Sequence, residues 1–327
     1  MTTKEIITEV LANKKAAGTP VDSVFFVGCG GSFAAAFPAF YFLEHESRTL
    51  KTAMFTSNEF VHAAPRACGA NSIVIACSMR GTAETGEAVK TANALGATTI
   101  GLYVQESEMT RACCYCVPYC SVAEDSNPIQ TSNGAIFLQL AAEILYQTEG
   151  YEQYKPFMSA LEKLDDIYRS AKEQSKAPAE EFGNACKDDA IIYVMGAGPS
   201  TGAAYIFSIC NLMEMQWIHS PTVNFGELLH GPFETVDNNL PIVCLVSTGR
   251  TRPVDERAMR FLRQYGGERL FVLDAQELGL TELDECVSEY FCPLIFSSLL
   301  QNVYLHAIAD AKQHPITTRR YMWKVKY

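Results

Sequence analysis

The 327-residue chain lacks a long hydrophobic run: its longest strongly apolar stretch, residues 33–43, is interrupted by Pro38 and falls well short of the ~20 residues that span a bilayer. It lacks an apolar leader, because MTTKEIITEVLANKK carries charges where a signal peptide needs its core. Positive charge is scarce. Lys and Arg number 26 against 37 Asp and Glu, for a net charge of -11. No broad basic face is left to neutralise successive phosphates of a nucleic acid, although a small pocket can still hold one anion. These absences exclude membrane and nucleic acid as partners and point to a cytoplasmic protein. Metal-site spacing is missing too. Among twelve cysteines, the run Cys113-Cys114-Tyr115-Cys116-Val117-Pro118-Tyr119-Cys120 has no second knuckle or His pair at a suitable distance. Cys29, Cys77, Cys210 and Cys244 lie inside apolar patterns, where a reduced thiol acts as a small hydrophobe. The expectation is buried structural cysteines and no metal.

What the chain does contain is one unit used twice. Val24-Phe25-Phe26-Val27-Gly28-Cys29-Gly30-Gly31-Ser32 is an apolar strand running into a glycine turn and a serine, and Ile191-Ile192-Tyr193-Val194-Met195-Gly196-Ala197-Gly198-Pro199-Ser200 repeats it. The serines are 168 residues apart; Ser78 and Ser247, each ending a second apolar run, are 169 apart; a third pair of strands, beginning at Thr98 and Arg269, is 171 apart. Near-constant offsets argue for an internal duplication. Within each half, short apolar runs alternate with helical stretches such as 84–95 and 255–265, the pattern of a parallel sheet covered by helices on both faces. The reading is α/β, with two tandem doubly wound domains. Residues 1–150 form the first, 151–185 a helical connection, 186–312 the second, and 313–327 a tail in which Arg319, Arg320, Lys324 and Lys326 stand among aromatic residues.

In open α/β sheets ligands bind outside the carboxyl ends of the strands, so the loops there carry the functional question. A dinucleotide is disfavoured: Gly28-x-Gly30-x-x-Phe33 and Gly196-x-Gly198-x-x-Thr201 each lack the third glycine, and no acidic residue closes the second strand near Phe55. Hydroxyls are abundant instead. Ser32 follows one turn; Ser78, Arg80 and Thr82 lie in another; Thr131 and Ser132 precede a helix. Helix-start amides favour an anion, and three hydroxyl loops in one half favour a phosphate monoester over N-capping alone. The matching turn of the second half, Ser247-Thr248-Gly249-Arg250-Thr251, is either a decayed copy or a site for the other end of a ligand. Glu214 is the only formally charged residue between Asp189 and Glu227, among Leu212, Met213, Met215, Trp217 and Ile218. Two readings stay open: a buried carboxylate with a raised pKa suited to a general base, or a solvated one on a polar stripe with Asn211.

These residues resemble the sugar isomerase domain proteins, the fold of the isomerase half of glucosamine-6-phosphate synthase, over almost the whole chain. More narrowly, Cys210-Asn211-Leu212-Met213-Glu214-Met215-Gln216-Trp217-Ile218-His219, the loop Gly226-Glu227-Leu228-Leu229-His230-Gly231-Pro232-Phe233-Glu234 and the tail Arg319-Arg320-Tyr321-Met322-Trp323-Lys324-Val325 resemble the fructosamine-6-phosphate, or fructoselysine-6-phosphate, deglycases. The resemblance implies a 6-phosphorylated Amadori substrate cleaved to hexose 6-phosphate and amino acid, without cofactor or metal. It implies Glu214 as proton-transfer base, His230 as acid, and Glu227 in support. It also implies phosphate-binding hydroxyls at Ser32, Ser78 and Ser132, with Thr131 adjacent, and Lys324 near the sugar. The family's Ser-x-Ser-Gly-x-Thr loop reads here Ser78-Met79-Arg80-Gly81-Thr82, one residue shorter with Arg80 for the second serine, and arginine can grip phosphate bidentately. The resemblance further implies a homodimer or higher oligomer, with His230 acting in trans. Two alternatives share the motifs: an aldose-ketose or amino-sugar isomerase/deaminase, and a non-enzymatic sugar-phosphate sensor. The chain starts directly on the sugar-binding unit, which argues against a complete amidotransferase; the missing DNA-binding appendage argues against the sensor.

Overall fold

A computed structural model describes residues 1–326. It contains two compact units, Met1–Leu161 and Glu162–Tyr327. The boundary falls inside the 33-residue helix Tyr154–Cys186.

The first unit is a five-stranded parallel sheet of β1 (Ser23–Gly28), β2 (Lys51–Thr56), β3 (Ser72–Cys77), β4 (Thr98–Tyr103) and β5 (Tyr115–Pro118), in the order β2-β1-β3-β4-β5. The second has β6 (Tyr193–Gly196), β7 (Thr222–Asn224), β8 (Ile242–Val246) and β9 (Leu270–Asp274), in the order β7-β6-β8-β9. The second sheet repeats the first without its edge strand, so the three sequence landmarks correspond to β1/β6, β3/β8 and β4/β9. Every residue of β1, β3 and β8 is buried. Apolar residues on both faces of a strand require helices on both sides of the sheet, and burying each Phe, Ile or Val contributes roughly 1.5–3 kcal/mol. Phe25, Val74 and Ala76 pack with Val89 and Met109 in the first unit. Cys244 and Val246 pack with Met259 and Leu262 in the second.

Helix ends are tied down by polar residues chosen for the purpose. Glu149, the last residue of helix Asn133–Glu149, accepts from the Arg48 amide at 2.9 Å, the Thr49 amide at 3.1 Å, the Thr49 hydroxyl at 2.7 Å, and the Ser47 hydroxyl. Partial burial raises its pKa, but these donors outweigh that effect and hold it down to about 2. A depressed carboxylate stabilises the fold above its ordinary pKa of 4.5 and loses that contribution as pH falls toward 2. Glu149→Gln is therefore expected to lower stability at pH 7 by about 1 kcal/mol, discounted because the group is mostly solvated, and to cost progressively less as pH falls toward 2. Urea melts of both proteins across that range check it; a constant difference would mean packing, not charge, is responsible.

Two expectations need correction. Pro38 sits within helix Gly31–Glu46, but residues 33–43 are not the most membrane-like segment. The continuous helix Ser288–Lys312 is 25 residues long, with a mean hydropathy of 1.3 over its most apolar window, long and apolar enough to cross a bilayer. That window is 72% buried within the protein, which makes it a core helix of the second unit. Its apolar residues are scattered among Ser, Asn, Gln and His, so run length missed what average hydropathy detects. Cys29, expected inside an apolar pattern, is exposed in the turn after β1, one residue beyond the buried strand.

Candidate active site

In both sheets the strand order reverses between the first and third strands of the unit, and the loops after those strands flank the resulting crevice. In the first unit the hydroxyl loops meet there. The thiol of Cys77, at the end of β3, is fully buried and pushed up to about 11 by that burial; it touches the Ser32 hydroxyl, the Asn133 amide and the Tyr119 phenol. Ser32 comes from the loop after β1, Ser78 follows Cys77 directly, and Ser132 precedes Asn133. The thiol thus joins the three loops that carry these serines, touching Ser32 itself and standing one residue from Ser78 and from Ser132 through Asn133. Ser78 Oγ accepts from the amides of Gly81 and Thr82, both at 3.1 Å, closing the shortened loop on itself. Ser132 Oγ caps the following helix by accepting from the Ala135 amide at 3.3 Å. Each hydroxyl that accepts in this way keeps its own proton to donate to an anion.

The other hydroxyls are differently engaged. Thr131 Oγ1 donates to the Pro128 carbonyl at 2.7 Å, so its proton is turned inward. Thr82 Oγ1 lies 2.9 Å from Thr85 Oγ1, which lies 2.8 Å from Ser57 Oγ, a relay of three hydroxyls. Arg80 is exposed at the loop tip beside Gly81, whose φ of 68° the shortened turn requires.

The corresponding crevice of the second unit is filled. Gly198 stands where a Cβ would lie 2.6 Å from Thr251 Oγ1, so the two loops are in contact. Ser247 Oγ donates to Asp255 at 2.8 Å, Thr248 pairs with Ser288 at 2.8 Å, and the Arg250 guanidinium binds buried Glu289 through Nε at 2.7 Å. Of the two readings of this turn, its side chains favour the structural copy.

Glu214 lies elsewhere in the second unit, on a nine-residue π-helical stretch, Phe207–Met215, that continues helix Thr201–Ile206. Wider π turns commonly mark functional sites, because they redirect side chains that a regular helix would stack. A second such stretch, Leu300–Tyr304, is joined to the first by the Asn211 amide donating to Gln301 at 3.0 Å. Of the two readings of Glu214, the solvated one fails: its side chain is 22% exposed and its Oε1 meets Arg319 Nη2 at 2.8 Å. Burial raises the carboxyl's pKa and the guanidinium opposes the rise. Carboxylate and tail line a cleft of roughly 560 Å³ with Trp217, His219, Arg320 and Tyr321. Trp217 has a φ of 58°, a strained value for a bulky residue, held by Arg320 on one side and the His314 ring 4.6 Å away.

The remaining expected residues fall outside this cleft. His230 is exposed at the end of the turn Leu228–His230, its amide bonded to the Glu227 carbonyl at 2.9 Å, and Gly231 follows with a φ of 139° that only glycine adopts easily. Glu227 is exposed as well. Lys324 donates to the Arg319 carbonyl and so braces the tail instead of reaching into the cleft. Arg319 was visible in the sequence only as part of a basic, aromatic tail. Its pairing with Glu214 spans 105 residues, for which no local pattern exists. Among the described residues no group of three or more His, Cys, Asp or Glu is placed to hold a metal ion.

Two parallel sheets of this order, with serine loops gathered at one crevice and a carboxylate cleft in the duplicated unit, define a protein of the sugar isomerase fold class. No family model matches the sequence. Fructosamine deglycase FrlB of Bacillus subtilis (strain 168) is 37% identical over 312 residues, covering 95% of this chain and 94% of the relative. A Salmonella typhimurium LT2 crystal structure, described as a phosphosugar isomerase, superposes with a TM-score of 0.94 at 43% identity over 99% of both chains. The C-terminal domain of glucosamine-fructose-6-phosphate aminotransferase from Francisella tularensis, at 16% identity and a TM-score of 0.76 over 95% of this chain and 93% of that one, shares the fold. The chain belongs to the fructosamine deglycase family, and it is an enzyme of that type.

The geometry makes the pH dependence of such an enzyme specific. Burial lifts Glu214 and Arg319 restrains it, so Arg319→Met should raise the carboxyl further and move the acidic limb of kcat/KM to higher pH. Arg319→Lys should keep most of the restraint. A pH profile that is unchanged in both variants would exclude Glu214 as the group being titrated.

Proposed function

We propose that the protein cleaves fructosamine 6-phosphates, such as fructoselysine 6-phosphate, to hexose 6-phosphate and the free amino acid. The observation that carries this reading is Glu214: a partly buried carboxylate with a raised pKa, in a cleft and beside a counter-charge, in a chain 37% identical to a fructosamine deglycase. Burial raises the basicity of this carboxylate, the direction that suits a group taking a carbon-bound proton.

In this reading His230 protonates the ring oxygen side of the sugar to assist opening, and Glu214 removes a proton from C1 of the open ketoamine. The C1 hydrogen leaves as a proton, its electrons form the C1–C2 double bond, and the C2 carbonyl oxygen receives the displaced electron pair and a proton to complete the enaminol. Returning a proton to C2 moves the unsaturation to the C1–N bond, giving an imine. Water adds to C1 and the C–N bond breaks, so the reaction ends as a hydrolysis. Ser32, Ser78 and Ser132 donate to the 6-phosphate, with Arg80 and Thr82 at its rim and Thr131 behind. Glu227 orients His230, and Lys324 holds the tail over the sugar. The proposed assembly is a cytoplasmic homodimer or higher oligomer in which His230 serves the partner's Glu214, in keeping with its exposure and its absence from the cleft lining.

The deciding experiment is incubation with a panel of 6-phosphorylated fructosamines, with released hexose 6-phosphate measured by a coupled assay. Release from at least one member is expected. No release, with interconversion of simple aldose and ketose phosphates instead, would replace the deglycase reading by the isomerase one.

A further inference from the structure

The Glu214 cleft contains a cation that the proton chemistry does not use. Arg320 lines the cleft, its guanidinium carbon 4.3 Å from the centroid of the Trp217 ring, and among the described residues no carboxylate or carbonyl accepts from it. Its neighbour is committed: Arg319 gives Nη2 to Glu214 and Nη1 to the carbonyls of Ile316 at 2.6 Å and Thr318 at 3.0 Å. The third edge of that guanidinium, Arg319 Nε, is buried without an acceptor among the described residues, on a side chain 10% exposed. In a chain with 37 carboxylates an unpaired arginine in a cleft is available for an anion from outside. Stacking adds to this. A guanidinium 4.3 Å over an indole centroid is attracted by the ring while its N–H groups can still receive a carboxylate bidentately. Trp217 maintains that face despite its φ of 58°, so the platform is kept at a cost in backbone strain.

We propose that Arg320 binds a carboxylate on the amine portion of the substrate and makes the enzyme selective for amino-acid adducts over adducts of simple amines. The proposal rests on the deglycase reading above. There Glu214 works at C1, the carbon that bears the amine nitrogen, so groups beyond that nitrogen share its cleft, whereas the phosphate is at the far end of the sugar and already has its donors. Recognition by a charged hydrogen-bonding pair also explains how one cleft can favour a class of amines without enclosing a particular side chain.

The test pairs two substrates, the 6-phosphofructosamine of ε-linked lysine and its carboxamide, with wild type and Arg320→Gln. The variant is expected to raise KM for the carboxylate substrate by roughly 10–100-fold, leave kcat near wild type, and leave the carboxamide unaffected. Equal losses on both substrates, or none on either, would overturn the proposal. A second readout needs no turnover. Both tryptophans of the chain flank this tail, Trp217 under Arg320 and Trp323 with its ring centroid 5.8 Å from Arg319, so intrinsic fluorescence reports binding directly. Tighter quenching by the carboxylate compound than by the carboxamide, lost in Arg320→Gln, supports the carboxylate clamp even if wild type releases no hexose phosphate, an outcome that sinks only the deglycase reading. A binding defect of Arg320→Gln that follows inorganic phosphate instead would reassign the residue to the sugar's phosphate.

Discussion

Glu214→Gln is expected to lower kcat by roughly 10²–10⁴-fold while substrate still binds, because the change removes basicity and retains shape. The amide oxygen can still accept from Arg319 Nη2, now 2.8 Å from the carboxylate, so the cleft should keep its form. What disappears is the only acidic side chain among the described residues that line that cleft. Neutralising Glu214 also leaves a guanidinium that is only 10% exposed without its counter-charge, so some loss of thermal stability should accompany the loss of rate. Single-turnover kinetics and a melting curve on the same preparation separate the two. Near-wild-type turnover in a folded variant would remove Glu214 from the base role.

His230→Ala should be comparably damaging, and it allows the proposed assembly to be tested without a structure of the complex. If His230 of one protomer serves Glu214 of the other, a Glu214→Gln chain and a His230→Ala chain are each inactive, yet their heterodimer contains one site with both native residues. Random pairing of equal amounts makes half the dimers mixed, each with one of its two sites complete, and should restore about a quarter of wild-type activity. Co-expression of differently tagged chains, with dual-tag purification of the mixed dimer, is the measurement. Recovery would require both groups to meet across a two-fold axis. A purified mixed dimer as inactive as its parents would put the two residues in the same protomer and discard the trans arrangement.

Much of this fold is legible locally. Continuous apolar runs ending in glycine and serine identify β1, β3, β6 and β8, since a strand buried on both faces has no polar alternation to hide it. The short strand β7 and the edge strand β5 are less visible, being three and four residues long with mixed burial. The serines of the hydroxyl loops are visible because a hydroxyl at a helix start is a short-range pattern. The convergence of their loops on Cys77 is not: that thiol reads as ordinary core until three separate loops are brought to it. Arg80 and Lys324 show the same limit, as their positions in a motif say nothing about whether a turn closes on itself or a lysine turns back onto its own tail.

The sequence by itself determined the α/β class, the duplication, the position of the hydroxyl loops and the singular carboxylate of the second half. Each of these is written in periodicities and neighbours within a few residues, which is the range over which backbone geometry couples to residue type. Only the tertiary structure decided that Glu214 is paired instead of solvated, that Arg319 is its partner while Arg320 has no such partner among the described residues, and that the second serine turn is occupied by Asp255, Ser288 and Glu289. The reason is electrostatic. The state of a buried charge depends on desolvation and on which opposite charge lies within about 4 Å, and both are set by chain segments that have no fixed spacing in sequence.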